Sequence, residues 1–200
     1  KVSSKGFLDS NKGVHFDNNI KLDPLTRKDI QSILIAKKFG VKIFALSFAN
    51  SARDVLFFRS LINKNDELIS KIETKRGFFN RKEITKASNA ILIDRGDLSR
   101  YIDISKIPLA QRIIINDAKK QNKKVYIATN LLETMINFSE PTRAESNDIY
   151  SSLISGCSGL VLAAETAIGN NPVKCVSFLK KCLKVFYNQK KFLKKYALFF

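Results

Sequence analysis

Residues 67–95 read ELISKIETKRGFFNRKEITKASNAILIDR. Glu67 to Glu73 and Ala90 to Arg95 are short, apolar and β-branched, the composition of buried strands. Between them Asn80-Arg81-Lys82-Glu83 sets a cap acceptor three residues before an acid, a helix-start signature. Strand, helix, strand at this spacing is a crossover between parallel neighbours, because antiparallel strands can be joined by a tight turn alone. The fold class follows: α/β, with a parallel sheet covered by helices.

The same alternation extends in both directions. Val41 to Phe48 lies upstream, and Lys124 to Thr129 and Gly159 to Ala164 lie downstream, so about five βα units are expected. Thr26-Arg27-Lys28-Asp29 and Ser51-Ala52-Arg53-Asp54 repeat the helix-start signature. Gly40 reads as a C-terminal stop for the first helix, and Pro172 as a residue just inside the start of the last. Two architectures fit, an open doubly wound sheet and part of a (β/α)8 barrel. The absence of a GxGxxG fingerprint counts only weakly against the first. A whole barrel has eight units in typically ~250 residues, so a barrel reading makes this chain a partial one.

Composition bounds the function classes. The chain has 200 residues, 44% of them hydrophobic, with only 8 Gly and 4 Pro, which excludes disordered, collagen-like and low-complexity chains. Apolar runs such as Ala90-Ile91-Leu92-Ile93 fall far short of the ~20 residues a membrane helix needs. Cys157, Cys175 and Cys182 show neither CxxC spacing nor an even count, so neither a disulfide framework nor a zinc site is expected, and a reducing compartment fits. Lys+Arg 35 against Asp+Glu 18 gives a formal charge of +17. Attraction to phosphate is one reading of that charge, and scattered lysines on solvated faces are the other.

In either architecture the functional edge is the C-terminal end of the strands. Lys71 and Glu73 are two apart on one strand and so share a face. The next strands end in Arg95-Gly96-Asp97, Ala128-Thr129-Asn130 and Ala163-Ala164-Glu165-Thr166. One ammonium, two or three carboxylates and a hydroxyl should therefore converge. Carboxylates on neighbouring strands suit Mg²⁺, and a nearby lysine suits a transferring phosphoryl group. The plainer alternative is a same-face ion pair with no ligand between its members.

Taken together and in order, these segments resemble the second half of the catalytic barrel of the pyruvate kinase family. Ile69-Ser70-Lys71-Ile72-Glu73-Thr74 looks like the signature around the family's essential lysine and metal-binding glutamate, with Arg76 where an acidic or amide residue is usual. Arg95-Gly96-Asp97-Leu98 is similar to the ARGDL segment, and Ala128 to Met135 parallels ATQMLESM. Pro141-Thr142-Arg143-Ala144-Glu145 is the family's PTRAE, Glu165-Thr166-Ala167 sits where SGETAKG would be, and Ser10 to His15 looks like the KGVN segment.

The resemblance implies a partial TIM-type barrel and Mg²⁺-dependent phosphoryl transfer from phosphoenolpyruvate to ADP, giving pyruvate and ATP. It implies that Glu73 and Asp97 bind Mg²⁺ or Mn²⁺, that Lys71 stabilises the phosphoryl group, and that the Gly96 and Asp97 N–H groups hold the substrate carboxylate. Thr129 would work beside the carbon that is protonated, Lys12 would reach the nucleotide, and Arg143 would stand at a subunit interface. K⁺ enters as a second cation whose family ligands lie outside this chain. A homo-oligomer, a tetramer in the family, is implied, with no nucleic-acid or membrane partner. A cytoplasmic location is expected, or an organelle if a targeting segment has been removed. Residues 1–24 would close a lid domain and return to the barrel, residues 25–187 would form its C-terminal part, and residues 188–200 would extend the last helix as a basic amphipathic segment.

Several residues depart from the family pattern. Ser99 and Tyr101 replace Gly and Glu, Asn50 replaces an arginine, Ala163-Ala164 replaces Ser-Gly, and Ile168 replaces a lysine. Two rival readings therefore accompany the kinase. One is a diverged protein that binds metal and an oxo-acid without kinase chemistry. The other is a scaffold whose exposed sheet edges and basic last helix bind another subunit, a membrane or nucleic acid.

Overall fold

The computed structural model describes residues 22–196, with side chains through residue 189. Lys12 and almost all of the 1–24 segment lie outside the described residues, as do residues 197–200.

Among the described residues five strands form one parallel sheet in the order β1-β2-β3-β4-β5: β1 (Ile43–Leu46), β2 (Glu67–Ile72), β3 (Ala90–Asp94), β4 (Lys124–Ala128) and β5 (Gly159–Val161). Each strand pairs only with its neighbour in sequence, and the order never reverses. A doubly wound sheet must reverse at its switch point. The described residues are thus a segment of a (β/α)8-type barrel.

The helices begin where the cap residues stand. Thr26 and Ser51 form complete capping boxes with Asp29 and Asp54, opening α1 (Arg27–Lys38) and α2 (Ala52–Leu61). Gly40, at φ +74°, follows the end of α1. Asn80 departs from expectation. It stands between α3 (Lys75–Phe79) and α4 (Arg81–Ala87) but makes no side-chain cap bond, because its amide donates to the Asn50 carbonyl 2.8 Å away.

Beyond β3 the chain turns through the short α5 (Arg95–Leu98) into α6 (Ile107–Lys120). After β4 comes α7 (Arg143–Ser155), opened by a third capping box, Thr142 with Glu145. The one-turn α8 (Ala164–Ala167) leads to α9 (Pro172–Tyr196), which passes residues 187 and 188 without a break.

One face of the sheet carries the core. Leu68, Ile72, Ile91, Ile93, Val125 and Ile127 pack with Val55 and Phe58 of α2, Ile84 of α4, and Ile114 and Ile115 of α6. A second cluster joins Ile149 and Leu153 of α7 to Cys175 and Leu179 of α9. On the opposite face Ile69, Lys71, Leu92 and Tyr126 are only half-buried. Helices thus gather on one side and the strand ends open on the other, as on a barrel wall. None of the described helices is long and apolar enough to cross a membrane.

Candidate metal and phosphoryl-transfer site

Register places the carboxylates. Ile72 pairs with Ile93, so Glu73, one step on, comes level with Asp94, and Asp94 pairs with Ala128. Lys71 pairs with Leu92, which puts Lys71, Glu73 and Asp94 on one face. Carboxylate oxygens of Glu73, Asp94 and Asp97 all lie within 4.8 Å of one another.

Each position is fixed by local chemistry. Thr74 caps α3, accepting from the Gly77 N–H at 2.9 Å and donating to Asn50 Oδ1. Gly77 lies so close to the β1–α2 loop that a Cβ there would stand 2.6 Å from the Ala49 carbonyl oxygen. Asp94 caps α5, its Oδ1 accepting from the Asp97 N–H at 3.4 Å, which turns the chain so that Asp94 and Asp97 face the same space. Phe48, at φ +52°, donates its N–H to Glu73 Oε2.

Lys71 Nζ stands 2.6 Å from Glu73 Oε1 and 3.1 Å from Asp94 Oδ2. Burial alone would lower the lysine's pKa, but the hydrogen bond and charge of Glu73, joined by Asp94, outweigh it and hold the ammonium above the ordinary value. Burial is the largest influence on Glu73 and lifts its carboxyl above the usual range, against the pull of Lys71 and the Phe48 N–H. Glu73 Oε1 is fully buried and has the Lys71 ammonium as its partner at 2.6 Å. With one oxygen of each of the three carboxylates within 4.8 Å of the others, the cluster is tight enough to share one cation. Hard oxygen donors in this number fit Mg²⁺ or Mn²⁺.

Thr129 and Asn130 follow β4 at φ +69° and +53°, consecutive left-handed residues without a glycine. Such backbone costs on the order of 1–3 kcal/mol per residue and persists only where its surroundings enforce it. Here Arg95 donates Nε and Nη2 to the Thr129 carbonyl at 3.1 and 2.6 Å, and its Nη1 to Asp148 Oδ2 at 2.6 Å. Thr129 Oγ1 is 3.2 Å from Asp94 Oδ1 and accepts from the Gly96 N–H at 2.8 Å. The two N–H groups expected at a substrate carboxylate are therefore held within the chain, Gly96 by Thr129 and Asp97 by Asp94.

The structure thus brings together Lys71, Glu73, Gly96, Asp97 and Thr129. It also corrects the expected carboxylate set. Glu165 does not join the cluster: its two oxygens accept from the Leu132 N–H at 3.0 Å and the Ala163 N–H at 2.7 Å, tying the β4 and β5 loops together. The third carboxylate is Asp94. The sequence carried the signal, for Asp94 stands immediately before Arg95, at the alanine of the ARGDL segment. Arg143 begins α7 with an exposed side chain. A groove lined by Phe48, Asn50, Arg53, Phe57, Phe79 and Tyr101 runs beside the cluster without including its carboxylates.

Residues 1–176 match the family model described as pyruvate kinase, barrel domain. The chain is 36% identical over 187 residues to a pyruvate kinase of Thermotoga maritima, covering 92% of this chain and 40% of that protein. It is 36% identical over 188 residues to one of Methanocaldococcus jannaschii, covering 92% and 42%. With one of Clostridium acetobutylicum the identity is 33% over 185 residues, covering 90% and 39%. The chain spans about two fifths of the length of these relatives.

Proposed function

This chain belongs to the pyruvate kinase family, and from that premise we propose that it serves Mg²⁺-dependent phosphoryl transfer from phosphoenolpyruvate to ADP, giving pyruvate and ATP. The observation that carries the proposal is Lys71, an ammonium paired with Glu73 and Asp94, whose carboxylates cluster with that of Asp97 at the C-terminal end of the sheet. Phosphoryl transfer depends on positioning and on charge stabilisation more than on covalent help from the protein.

In this reading Glu73 and Asp97 would hold the divalent cation, which when bound neutralises charge on substrate oxygens. Lys71 would turn its ammonium from Asp94 toward the phosphoryl group. Gly96 would release its N–H from Thr129 Oγ1 to the substrate carboxylate, freeing the Thr129 hydroxyl to hold a proton near the enolate carbon. Lys12 would contact the nucleotide and Arg143 a second subunit, in a cytoplasmic homo-oligomer. K⁺ would be held by residues outside this chain.

The test is pyruvate formation from phosphoenolpyruvate and ADP with Mg²⁺, comparing the chain with any longer open reading frame that contains it, and with Lys71→Met in each. Activity abolished by Lys71→Met supports the kinase. A folded protein inactive in both forms favours the diverged reading, which Ala163, Tyr101 and the internally held Gly96 N–H also favour.

A further inference from the structure

Resting on the metal site just proposed, we infer that Asp94 is a third carboxylate ligand, which tightens this protein's hold on a divalent cation when no organic acid is beside it. Asp94 is not an incidental neighbour. It is 7% exposed, its Oδ2 lies 3.1 Å from Lys71 Nζ, its Oδ1 meets Thr129 Oγ1 at 3.2 Å, and an oxygen of its carboxylate falls within 4.8 Å of those of Glu73 and Asp97.

The charge balance gives Asp94 its effect. Glu73 and Asp97 against Lys71 leave too little negative charge to neutralise a divalent cation, so such a site gains much from an anionic substrate. With Asp94 the excess of carboxylates over ammonium matches one divalent cation. Affinity for hard cations rises with the number of charged oxygen ligands. The buried Glu73 Oε1 has the Lys71 ammonium as its partner at 2.6 Å, and a cation entering the cluster would replace the ammonium there. On the solvent side Arg100 Nε stands 3.4 Å from Asp97 Oδ1, and this exposed arginine can swing away as a cation enters.

Asp94 also occupies Lys71, the group that a phosphoryl oxygen would need. A cation that draws the Asp94 carboxylate to itself frees the ammonium. Metal binding and lysine release then become one event, and the site can be loaded before substrate arrives.

The experiment titrates the full chain with Mn²⁺, counting free Mn²⁺ by electron paramagnetic resonance, with and without oxalate. The variants are Asp94→Asn, which keeps the acceptor that caps α5, and Glu73→Gln and Asp97→Asn. Thermal melting without metal checks folding. The expected result is Mn²⁺ binding by the unaltered chain without oxalate, weakened about tenfold or more by Asp94→Asn, and a larger gain from oxalate in Asp94→Asn than in the unaltered chain. If Glu73→Gln and Asp97→Asn weaken binding while Asp94→Asn does not, the third ligand is overturned and the metal site stands. If the folded chain binds no Mn²⁺ without oxalate, the inference falls; if it binds none with oxalate either, the metal site falls as well.

Discussion

Arg95 grips the backbone of Thr129, its Nε and Nη2 donating to one carbonyl oxygen at 3.1 and 2.6 Å. The two residues directly follow adjacent strands, and the grip holds Thr129 in a left-handed conformation that a β-branched residue avoids when free. Asp148 of α7 anchors the same guanidinium, so a helix on the outside of the wall steadies the turn carrying the candidate catalytic hydroxyl.

Arg95→Lys should therefore damage the site more than its conserved charge suggests. An ammonium cannot reproduce a two-pronged contact with Thr129 together with one to Asp148. Urea unfolding should show a loss of about 1–3 kcal/mol. An unchanged midpoint would mean that Thr129 keeps its conformation unaided.

Glu165→Gln tests the corrected role of Glu165. Its carboxylate accepts two backbone N–H groups at 1% exposure, and an amide would turn a donor toward one of them. The expected cost is about 1.5–3 kcal/mol, read from chemical denaturation. A variant as stable as the parent would remove the strut between the loops.

Gly77→Ala should destabilise through a clash. Its Cβ would stand 2.6 Å from the Ala49 carbonyl oxygen, part of the backbone. A cost of about 1–3 kcal/mol follows if α3 must lift from the β1–α2 loop, and a loss of thermal midpoint measures it.

Glu145 supplies a pH signature away from the carboxylate cluster. Partial burial would raise its pKa, but hydrogen bonds from Thr142 and Thr134 outweigh that and lower it. A carboxyl with a folded-state pKa below its unfolded one contributes stability that is present above the unfolded value, about 4.3, and is lost as pH falls through the folded value. The stability gap between the parent and Glu145→Gln should thus be full at pH 7 and close below about pH 4. A gap of constant size down to the acid limit would show that charge is not its source.

The sheet was legible because apolar runs and capping boxes agree along the chain, and β2, β3 and β4 stand where their runs predict. Their outer neighbours are shorter than expected for reasons no periodicity encodes. β1 stops before Phe48, whose N–H is taken by Glu73 from the next strand. β5 stops before Ala163, whose N–H is taken by Glu165. Lys71 and Glu73 could be paired from strand alternation alone. Asp94 was missed because it sits at a strand end where a capping acid is unremarkable, and only register shows which carboxylates it faces.

The unbroken strand order also bears on how the chain is made. Because the described strands pair only with strands adjacent to them in sequence, each βα unit after β1 finds a partner already present as it leaves the ribosome. Among the described residues no unit must wait for a distant segment to be synthesised, and loop-closure entropy is met in small instalments. A wall built in this way can grow by accretion, and a stalled or shortened product would still present a set of correctly registered neighbours.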